Sequence, residues 1–210
     1  MSFKEKNYEV VKKAISAEMA SFCYRYFLLK REAYYYMRDK NYLSPYETLF
    51  GFYTDDQIPM TYNSYCDIAM ETLSTTLLPD LSRKIDIELH QQYTYTRCYK
   101  YGDILDRHKD RPACEISATL NLGGDPWPIY IDPTGEYGQE VVKVTLGPGD
   151  LMIYRGCDLE HWREPFRGDK VVQVFLHYND INGPFKDRCN KFDRKDMLGI
   201  PEDFCVGSRF

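Results

Sequence analysis

The sequence has few of the features that mark secreted, membrane or nucleic-acid-binding proteins. Its first residues, MSFKEKNYEVVKKA, are charged and lack the apolar run of a signal peptide, and no window approaches the length of a membrane span. The formal net charge is -5 and the basic residues form no cluster, which argues against nucleic acid as a partner. We expect a soluble cytoplasmic protein with no membrane partner, and the sequence leaves its oligomeric state open.

Paired cysteine spacings are also missing. The seven cysteines are scattered, which is typical of reduced thiols and argues against a disulfide framework or a structural zinc site. We expect Cys98 and Cys114 to be small core residues rather than ligands.

The chain contains no repeats and no low-complexity linkers, and its composition is that of one globular domain. It has 210 residues, of which 43% are hydrophobic and 15% aromatic, enough to form a sizeable core. We predict a single domain over residues 1–210. Residues 1–84 form mainly helical support, 85–180 the core, and 181–210 a C-terminal extension that is either an ordered segment or a lid.

The N-terminal third has helical periodicity. Apolar residues recur every three or four positions from about Tyr8 to Met37, which predicts one long amphipathic helix or two in succession. The run Tyr34–Tyr36 continues that packing face or, alternatively, forms an aromatic substrate platform. Ser44–Glu47 has the form of a capping box opening a short helix, and Asn63–Ser82 predicts a further helix.

After residue 85 the pattern changes to short alternating segments separated by Gly, Pro and Asp turns. These segments are LHQQYTYTRCY, CEISATLNL, WPIYI, VVKVTL, DLMIY and VVQVFLHY. Many short strands after helices predict an α+β protein: a double-stranded β-helix (a jelly roll, cupin-like) with the N-terminal helices packed against one sheet.

The most informative residues of the chain are His108 and Asp110, which stand one residue apart in the run DRHKD. In an extended strand, alternate side chains project to the same side, so both can reach one ion. His161 lies far along the chain and can complete the group if its strand returns beside the first. Two imidazoles and a carboxylate are the ligand set of non-haem iron(II) oxygenases.

The surrounding sequence strengthens this interpretation, since a His-x-Asp pair alone is a common chance motif. Tyr99 and Gly102 precede His108, the turn and strand GPGDLMIY precede His161, and Lys170 opens the run KVVQVFLHY. In order and spacing, the chain resembles an iron(II)- and 2-oxoglutarate-dependent oxygenase of the prolyl 4-hydroxylase-like branch. The resemblance covers about residues 85–180.

The resemblance implies roles for particular residues. His108, Asp110 and His161 would be the iron ligands, while Lys170 and Tyr99 would bind the distal carboxylate of 2-oxoglutarate. Alternation through Val172, Val174 and Leu176 favours an inward Lys170. Arg163, Arg167 and Arg97 remain alternative anchors.

Further candidate contacts to substrate or cosubstrate are Tyr95, Arg97, Arg111, Arg163 and Trp127. Tyr93, Tyr95, Arg97 and Tyr99 share one strand face, so Tyr95 and Arg97 follow Tyr99 towards the cavity. The alternatives are structural, with Tyr95 in the core, Arg97 paired with a carboxylate and Arg111 paired with Glu115. Packing is the preferred interpretation of Trp127 and Trp162, and a structural role that of His90 and His177.

The resemblance implies an enzyme that hydroxylates an unactivated C–H bond, with iron(II) as cofactor, 2-oxoglutarate and O2 as cosubstrates, ascorbate as a candidate reductant, and succinate and CO2 as coproducts. A prolyl or other residue of a protein or peptide is the expected substrate. The alternatives are a small molecule or free amino acid, and a non-catalytic jelly-roll module that binds 2-oxoglutarate. A zinc hydrolase, which would use the same three ligands with a bound water, is a weaker alternative because the pattern assigns no Glu as its base.

Overall fold

The computed structural model describes residues 3–136 and 140–188. The helices are α1 (Phe3–Lys6), α2 (Ala17–Asp39) and α3 (Ile68–Ile85), with 3-10 turns at Pro112–Cys114 and Lys186–Arg188. The strands are β1 (Tyr8–Val11), β2 (Tyr62–Tyr65), β3 (Leu89–Lys100), β4 (Leu105–His108), β5 (Ile116–Gly124), β6 (Ile129–Ile131), β7 (Val142–Val144), β8 (Leu151–Arg155), β9 (His161–Arg163) and β10 (Lys170–Asp180).

The strands form two antiparallel sheets. The larger sheet has the order β1-β8-β5-β10-β3-β2, and the smaller has the order β4-β9-β6-β7. Long central strands β3 and β10 pair along their whole length, from Lys170 opposite Lys100 to Asp180 opposite Leu89. This is the predicted double-stranded β-helix, and each of the six predicted strand segments contains or overlaps a strand.

Helices α2 and α3 cover the outer face of the larger sheet. Each begins at a side-chain cap: Ser16 accepts a hydrogen bond from the Met19 amide, and Asp67 accepts from the Ala69 and Met70 amides. The helices and the sheet together bury one large apolar cluster, whose members include Phe27, Met70, Leu77, Val172, Val174 and Leu176. The predicted packing of helices against one sheet is confirmed.

The N-terminal helix is shorter than its periodicity predicts. Tyr8–Val11 forms an edge strand paired with β8, and α2 begins only after Ser16. The buried face of α2 carries Ala20, Cys23 and Phe27, whereas Leu29, which fits the same apolar period, is 71% exposed. Small residues let the helix lie close to the sheet, a preference that counting large apolar residues does not capture.

Two further helix predictions need correction. Ser44–Glu47 forms a turn in which the Glu47 amide donates to the Ser44 carbonyl, and no helix follows. The helix predicted over Asn63–Ser82 is displaced, because Tyr62–Tyr65 pairs with β3 as a strand and α3 spans Ile68–Ile85 with Pro79 inside it. Of the tyrosine run, Tyr34 packs against the apolar cluster, while Tyr35 and Tyr36 are at least half exposed.

Within the described part of the chain, none of the helices has both the length and the apolar character that crossing a membrane requires. The predicted C-terminal extension lies outside the described residues from position 189 onwards.

Candidate active site

His108, Asp110 and His161 meet at the end of the smaller sheet. Strands β4 and β9 pair with His108 opposite His161, which brings the two imidazole ring centres to 4.3 Å. Asp110 follows the end of β4, where its amide donates to the Gly156 carbonyl. The Nε2 atoms of both histidines lie 3.6 Å from Asp110 Oδ1. Among residues 3–136 and 140–188, this is the one group with metal-ligand geometry, its ligand atoms all within 4.8 Å.

Backbone carbonyls orient both imidazole rings. His108 Nδ1 lies 2.7 Å from the Asp106 carbonyl, and His161 Nδ1 lies 3.1 Å from the Leu159 carbonyl. Because a carbonyl only accepts hydrogen bonds, each Nδ1 carries a proton, so Nε2, which faces Asp110, is the ring atom available to a metal. Such a hydrogen bond behind the ligand fixes both the tautomer and the ring orientation in protein metal sites.

The carboxylate of Asp110 is also held from behind. Ser117 Oγ donates to Asp110 Oδ2 at 2.6 Å and lies 3.0 Å from His177 Nδ1. Burial alone would raise the pKa of Asp110, but the neighbouring histidines, His161 foremost, hold it well below its usual value. Asp110 is therefore an anion at neutral pH, and one carboxylate with two imidazoles is a donor set that fits a divalent metal.

Gly156 lets the backbone approach this group. A Cβ at that position would overlap the Cys114 carbonyl and Asp110 Oδ2, both of which are too close for any side chain. The same glycine accepts the Asp110 amide and donates its own amide to Glu115. Gly156 thus joins the segment after β8 to the segment that carries the carboxylate.

The three residues open onto a cavity of about 290 Å³. Strand β3 contributes Tyr93, Tyr95, Arg97 and Tyr99 from one face, as its alternation predicts, and β10 contributes Phe175 and His177. The remaining lining residues are Asp55, Gln57, Leu105, Lys109, Arg111, Cys114, Ile129 and Tyr154.

Arg163 is a deeply buried cation on the strand that carries His161, although it is not among the residues that line the cavity. It lies two residues after His161 on β9, so both side chains point into the barrel, and it is 1% exposed. Its Nη1 donates to the Trp127 carbonyl at 2.5 Å, and its Nε has no hydrogen-bond partner among the described residues. Burial lowers the pKa of Arg163, and no described carboxylate pairs with it.

The hydroxyl of Tyr99, like Arg163 Nε, lacks a hydrogen-bond partner among the described residues. The tyrosine is fully buried. Tyr99 and Arg163 both contact the Trp127 ring, Tyr99 edge-on at 4.7 Å between ring centres and Arg163 at 4.9 Å from its guanidinium carbon. Buried polar groups are normally paired, so two unpaired donors in one place predict a bound anion.

Lys170 lies elsewhere, contrary to the predicted inward orientation. Its neighbours by alternation, Val172, Val174 and Leu176, do face an apolar core, but it is the core shared with α2 and α3. The Lys170 ammonium pairs with Asp169 at 2.6 Å, and its side chain is 38% exposed. Lys170 does not line the cavity that holds the histidines.

Other predicted contacts divide between cavity and scaffold. Arg111 lines the cavity, with its guanidinium 4.9 Å from the Tyr93 ring centre. The predicted Arg111 partner, Glu115, instead accepts hydrogen bonds from Asn179 and the Asp180 amide. Arg167 contacts the Tyr101 hydroxyl away from the cavity.

Both tryptophans pack as scaffold. Trp127 is buried beside Phe166 and donates to the Glu164 carbonyl, so it does not line the cavity. Trp162 stacks on Tyr130, beneath the Arg107 guanidinium.

Arg97 combines the two interpretations that the sequence leaves open. It faces the cavity, and it is also paired: Nη2 lies 2.8 Å from Asp55 Oδ2, Nε donates to Asn63 at 2.7 Å, and Nη1 donates to Gln57 at 3.1 Å.

Several residues of the site were not predicted as site residues from the sequence. Ser117 and His177 support Asp110, and Asp55 and Gln57 come from the segment before β2. Strand parity with Phe175 is the signal that would have placed His177 in the cavity. No local pattern marks Asp55 and Gln57, because only the tertiary fold brings their loop to the site.

The fold and the site together define a double-stranded β-helix protein with a two-histidine, one-carboxylate group inside the barrel. No protein-family model matches the sequence, and no curated protein sequence matches it. The similarity to known proteins lies in three-dimensional structure.

Several solved structures share the fold. A prolyl-4-hydroxylase from Pseudomonas putida aligns with 14% identity and a TM-score of 0.55, covering 85% of this chain and 95% of that one. A prolyl hydroxylase from Trichoplax adhaerens, in complex with a peptide of hypoxia inducible factor, has 14% identity and a TM-score of 0.60 over 91% and 90%. SnoN, a non-haem α-ketoglutarate-dependent epimerase from nogalamycin biosynthesis, has 14% identity and a TM-score of 0.63 over 85% and 79%. At this identity, the likeness is one of fold.

Proposed function

We propose that this protein is an iron(II)- and 2-oxoglutarate-dependent dioxygenase that hydroxylates an unactivated C–H bond and releases succinate and CO2. The observation that carries the proposal is the group formed by His108, Asp110 and His161, whose ligand atoms converge beside an open cavity. When bound, iron(II) supplies the activation of O2 that organic side chains cannot provide. The solved structures with the same fold include enzymes of this type.

The chain's own residues would hold the metal on one side. Nε2 of each histidine and Oδ1 of Asp110 provide the ligands, and the carbonyls behind the rings with Ser117 behind the carboxylate keep them in place. Ligands on one face leave the remaining positions for the cosubstrate and O2. No residue is needed as a general base in this chemistry.

We assign the anchor for the distal carboxylate of 2-oxoglutarate to Arg163 with Tyr99, in preference to Lys170. Arg163 shares the strand face of His161, is buried, and has an unpaired Nε beside the unpaired hydroxyl of Tyr99. A carboxylate would satisfy both donors, and a guanidinium can bind it through two parallel hydrogen bonds. Lys170 already pairs with Asp169 outside the cavity.

For the substrate, we propose a prolyl or other residue of a protein or peptide. The two prolyl hydroxylases of the same fold support this choice, one of them in complex with a peptide. The small-molecule alternative is supported by SnoN, which belongs to nogalamycin biosynthesis, and by the modest cavity volume of about 290 Å³. Both alternatives use the same oxidising centre.

The test of the function is succinate formation from 2-oxoglutarate with iron(II), O2 and ascorbate, comparing the parent with His108→Ala. We expect the parent to form succinate and His108→Ala to lose nearly all turnover. Equal turnover in both proteins would exclude the assigned metal centre. Binding of 2-oxoglutarate without any succinate, even with candidate substrates, would favour a non-catalytic binding module.

The substrate is then found by mass spectrometry. Peptide pools, protein lysate and small-molecule extracts are incubated with the enzyme, with and without 2-oxoglutarate, and searched for products heavier by one oxygen atom. A product among peptides supports the proposed substrate class, and a product among small molecules alone replaces it.

A further inference from the structure

A loop before β2 reaches over the rim of the cavity and is tied down at several points. This roof loop spans residues 53–60. Ile58 is buried in a cluster with Tyr99, Leu105 and Trp127, and the Pro59 carbonyl accepts a hydrogen bond from Lys100 Nζ. The loop is therefore fixed against β3 rather than lying free over the opening.

Asp55 makes most of the hydrogen bonds that hold the roof loop in place. Its Oδ2 accepts hydrogen bonds from Arg97 Nη2, at 2.8 Å, and from the Tyr95 hydroxyl. Its Oδ1 accepts from the Gln57 and Ile58 amides, at 2.9 and 3.1 Å. The side chain of Asp55 thus connects the strand face of the cavity to the backbone that carries Gln57.

The neighbours of Gln57 fix which end of its amide faces the metal ligands. A guanidinium only donates hydrogen bonds, so the Gln57 atom 3.1 Å from Arg97 Nη1 must be the carbonyl oxygen Oε1. The NH2 group then points the other way, and its nitrogen lies 3.4 Å from His108 Nε2. Nδ1 of His108 lies against the Asp106 carbonyl, so this Nε2 is the ring atom available to a metal.

A bound metal would occupy this ring atom, so His108 Nε2 could not accept a hydrogen bond from Gln57. Arg97 would still hold the side-chain amide of Gln57, and Asp55 its backbone amide. The nearest new acceptors would be the oxygen atoms of whatever binds the open side of the metal. Among the described residues lining the cavity, Gln57 is the one side-chain amide.

We propose that Gln57 is a positioning residue for the cosubstrate: its side-chain N–H, which faces His108 Nε2 in the metal-free protein, donates to an oxygen of metal-bound 2-oxoglutarate. The proposal rests on the proposed function. It gives Arg97 a role as well, because the guanidinium sets the orientation of the amide.

This role predicts a loss confined to the cosubstrate. Gln57→Leu leaves His108, Asp110 and His161 in place, so metal alone should bind as well as before. The same change removes a donor to the cosubstrate, which should weaken 2-oxoglutarate binding about three- to tenfold, the effect of losing one hydrogen bond. A general collapse of the loop would instead weaken both.

The experiment compares the parent, Gln57→Leu and the control Asp56→Asn. Asp56 is the exposed neighbour on the same loop and makes no hydrogen bond or ion pair with any described residue. Metal affinity is measured with Mn²⁺ alone by electron paramagnetic resonance. Affinity for 2-oxoglutarate is measured without oxygen, from the visible absorption of its chelate with iron(II).

We expect Gln57→Leu to retain Mn²⁺ affinity and to lose 2-oxoglutarate affinity, while Asp56→Asn matches the parent in both. Unchanged 2-oxoglutarate affinity in Gln57→Leu, or a parallel loss of metal affinity, would overturn the positioning role while leaving the proposed function intact. Failure of the parent itself to bind 2-oxoglutarate with iron(II) would instead overturn the proposed function.

Discussion

The two faces of strand β10 are both buried, yet they belong to different environments. One face carries Val172, Val174 and Leu176, which pack against the helices, and Lys170 continues it at the exposed end. The other carries Gln173, Phe175 and His177, which point into the barrel, where Phe175 and His177 line the cavity. The purely apolar face of β10 therefore packs against the helices. The face that carries the buried polar residues Gln173 and His177 points towards the candidate site.

The largest effect that should separate the two faces is on stability. Leu176→Ala leaves a hole in the apolar core beneath the helices and should lower the free energy of unfolding by about 2–5 kcal/mol. Because the side chain faces away from the cavity, 2-oxoglutarate affinity of the folded protein should not change. Urea denaturation and a binding titration test the two statements, and a large loss of affinity would contradict the separation.

Arg163→Met tests whether the residues inside the barrel bind 2-oxoglutarate. Removing the buried guanidinium should weaken 2-oxoglutarate binding by about 10- to 100-fold, because hydrogen bonds to a charged group are lost. The methionine fills much of the space, so folding should survive, and circular dichroism with an Mn²⁺ titration checks this. Unchanged affinity for 2-oxoglutarate in a folded, metal-binding variant would remove Arg163 from the anchor.

Ser117→Ala tests the support behind the carboxylate ligand. The variant loses the hydrogen bond to Asp110 Oδ2 and should weaken metal binding about tenfold, the lower end of the usual effect of such outer contacts. Titration with Mn²⁺ measures this. Thr119→Val provides the control for metal binding, since Thr119 lies on the same strand face but its hydroxyl contacts Gln173 and Arg163 rather than Asp110. Equal metal affinity in parent and Ser117→Ala would contradict the assigned support.

Lys170→Met should have the smallest effect. The ammonium pairs with Asp169 at the surface, where an ion pair contributes little, so stability and 2-oxoglutarate affinity should both stay within about twofold of the parent. Isothermal titration calorimetry with the metal-loaded protein measures the affinity. A tenfold loss would restore Lys170 as the anchor and contradict the orientation of β10.

Local periodicity was enough to predict the architecture, whereas the meeting of His161 with His108 and Asp110 was expected from the resemblance. Alternation identified the strands and placed Tyr95, Arg97 and Tyr99 on the cavity face. It failed for Lys170, because an alternating pattern says which residues share a face but not what each face contacts when both are buried. Arg163 and His161 stand two residues apart on one strand, and this spacing is the sequence signal that favours Arg163 as the proposed anchor.

The remaining differences come from contacts distant in sequence. Tyr8–Val11 has a helical period but joins the sheet edge beside β8, where backbone pairing outweighs a weak local preference. The roof loop carries no motif at all, and Gln57 reaches His108 only because Asp55 is tied to Arg97 on a strand far along the chain.

The most direct test of the central claim is a titration of 2-oxoglutarate without oxygen into the parent and His108→Ala, each with and without iron(II). The account predicts that the parent binds one molecule of 2-oxoglutarate per chain, that binding weakens strongly without iron(II), and that His108→Ala shows no iron-dependent gain. Equal binding with and without the metal, or iron-dependent binding that survives in His108→Ala, would contradict it.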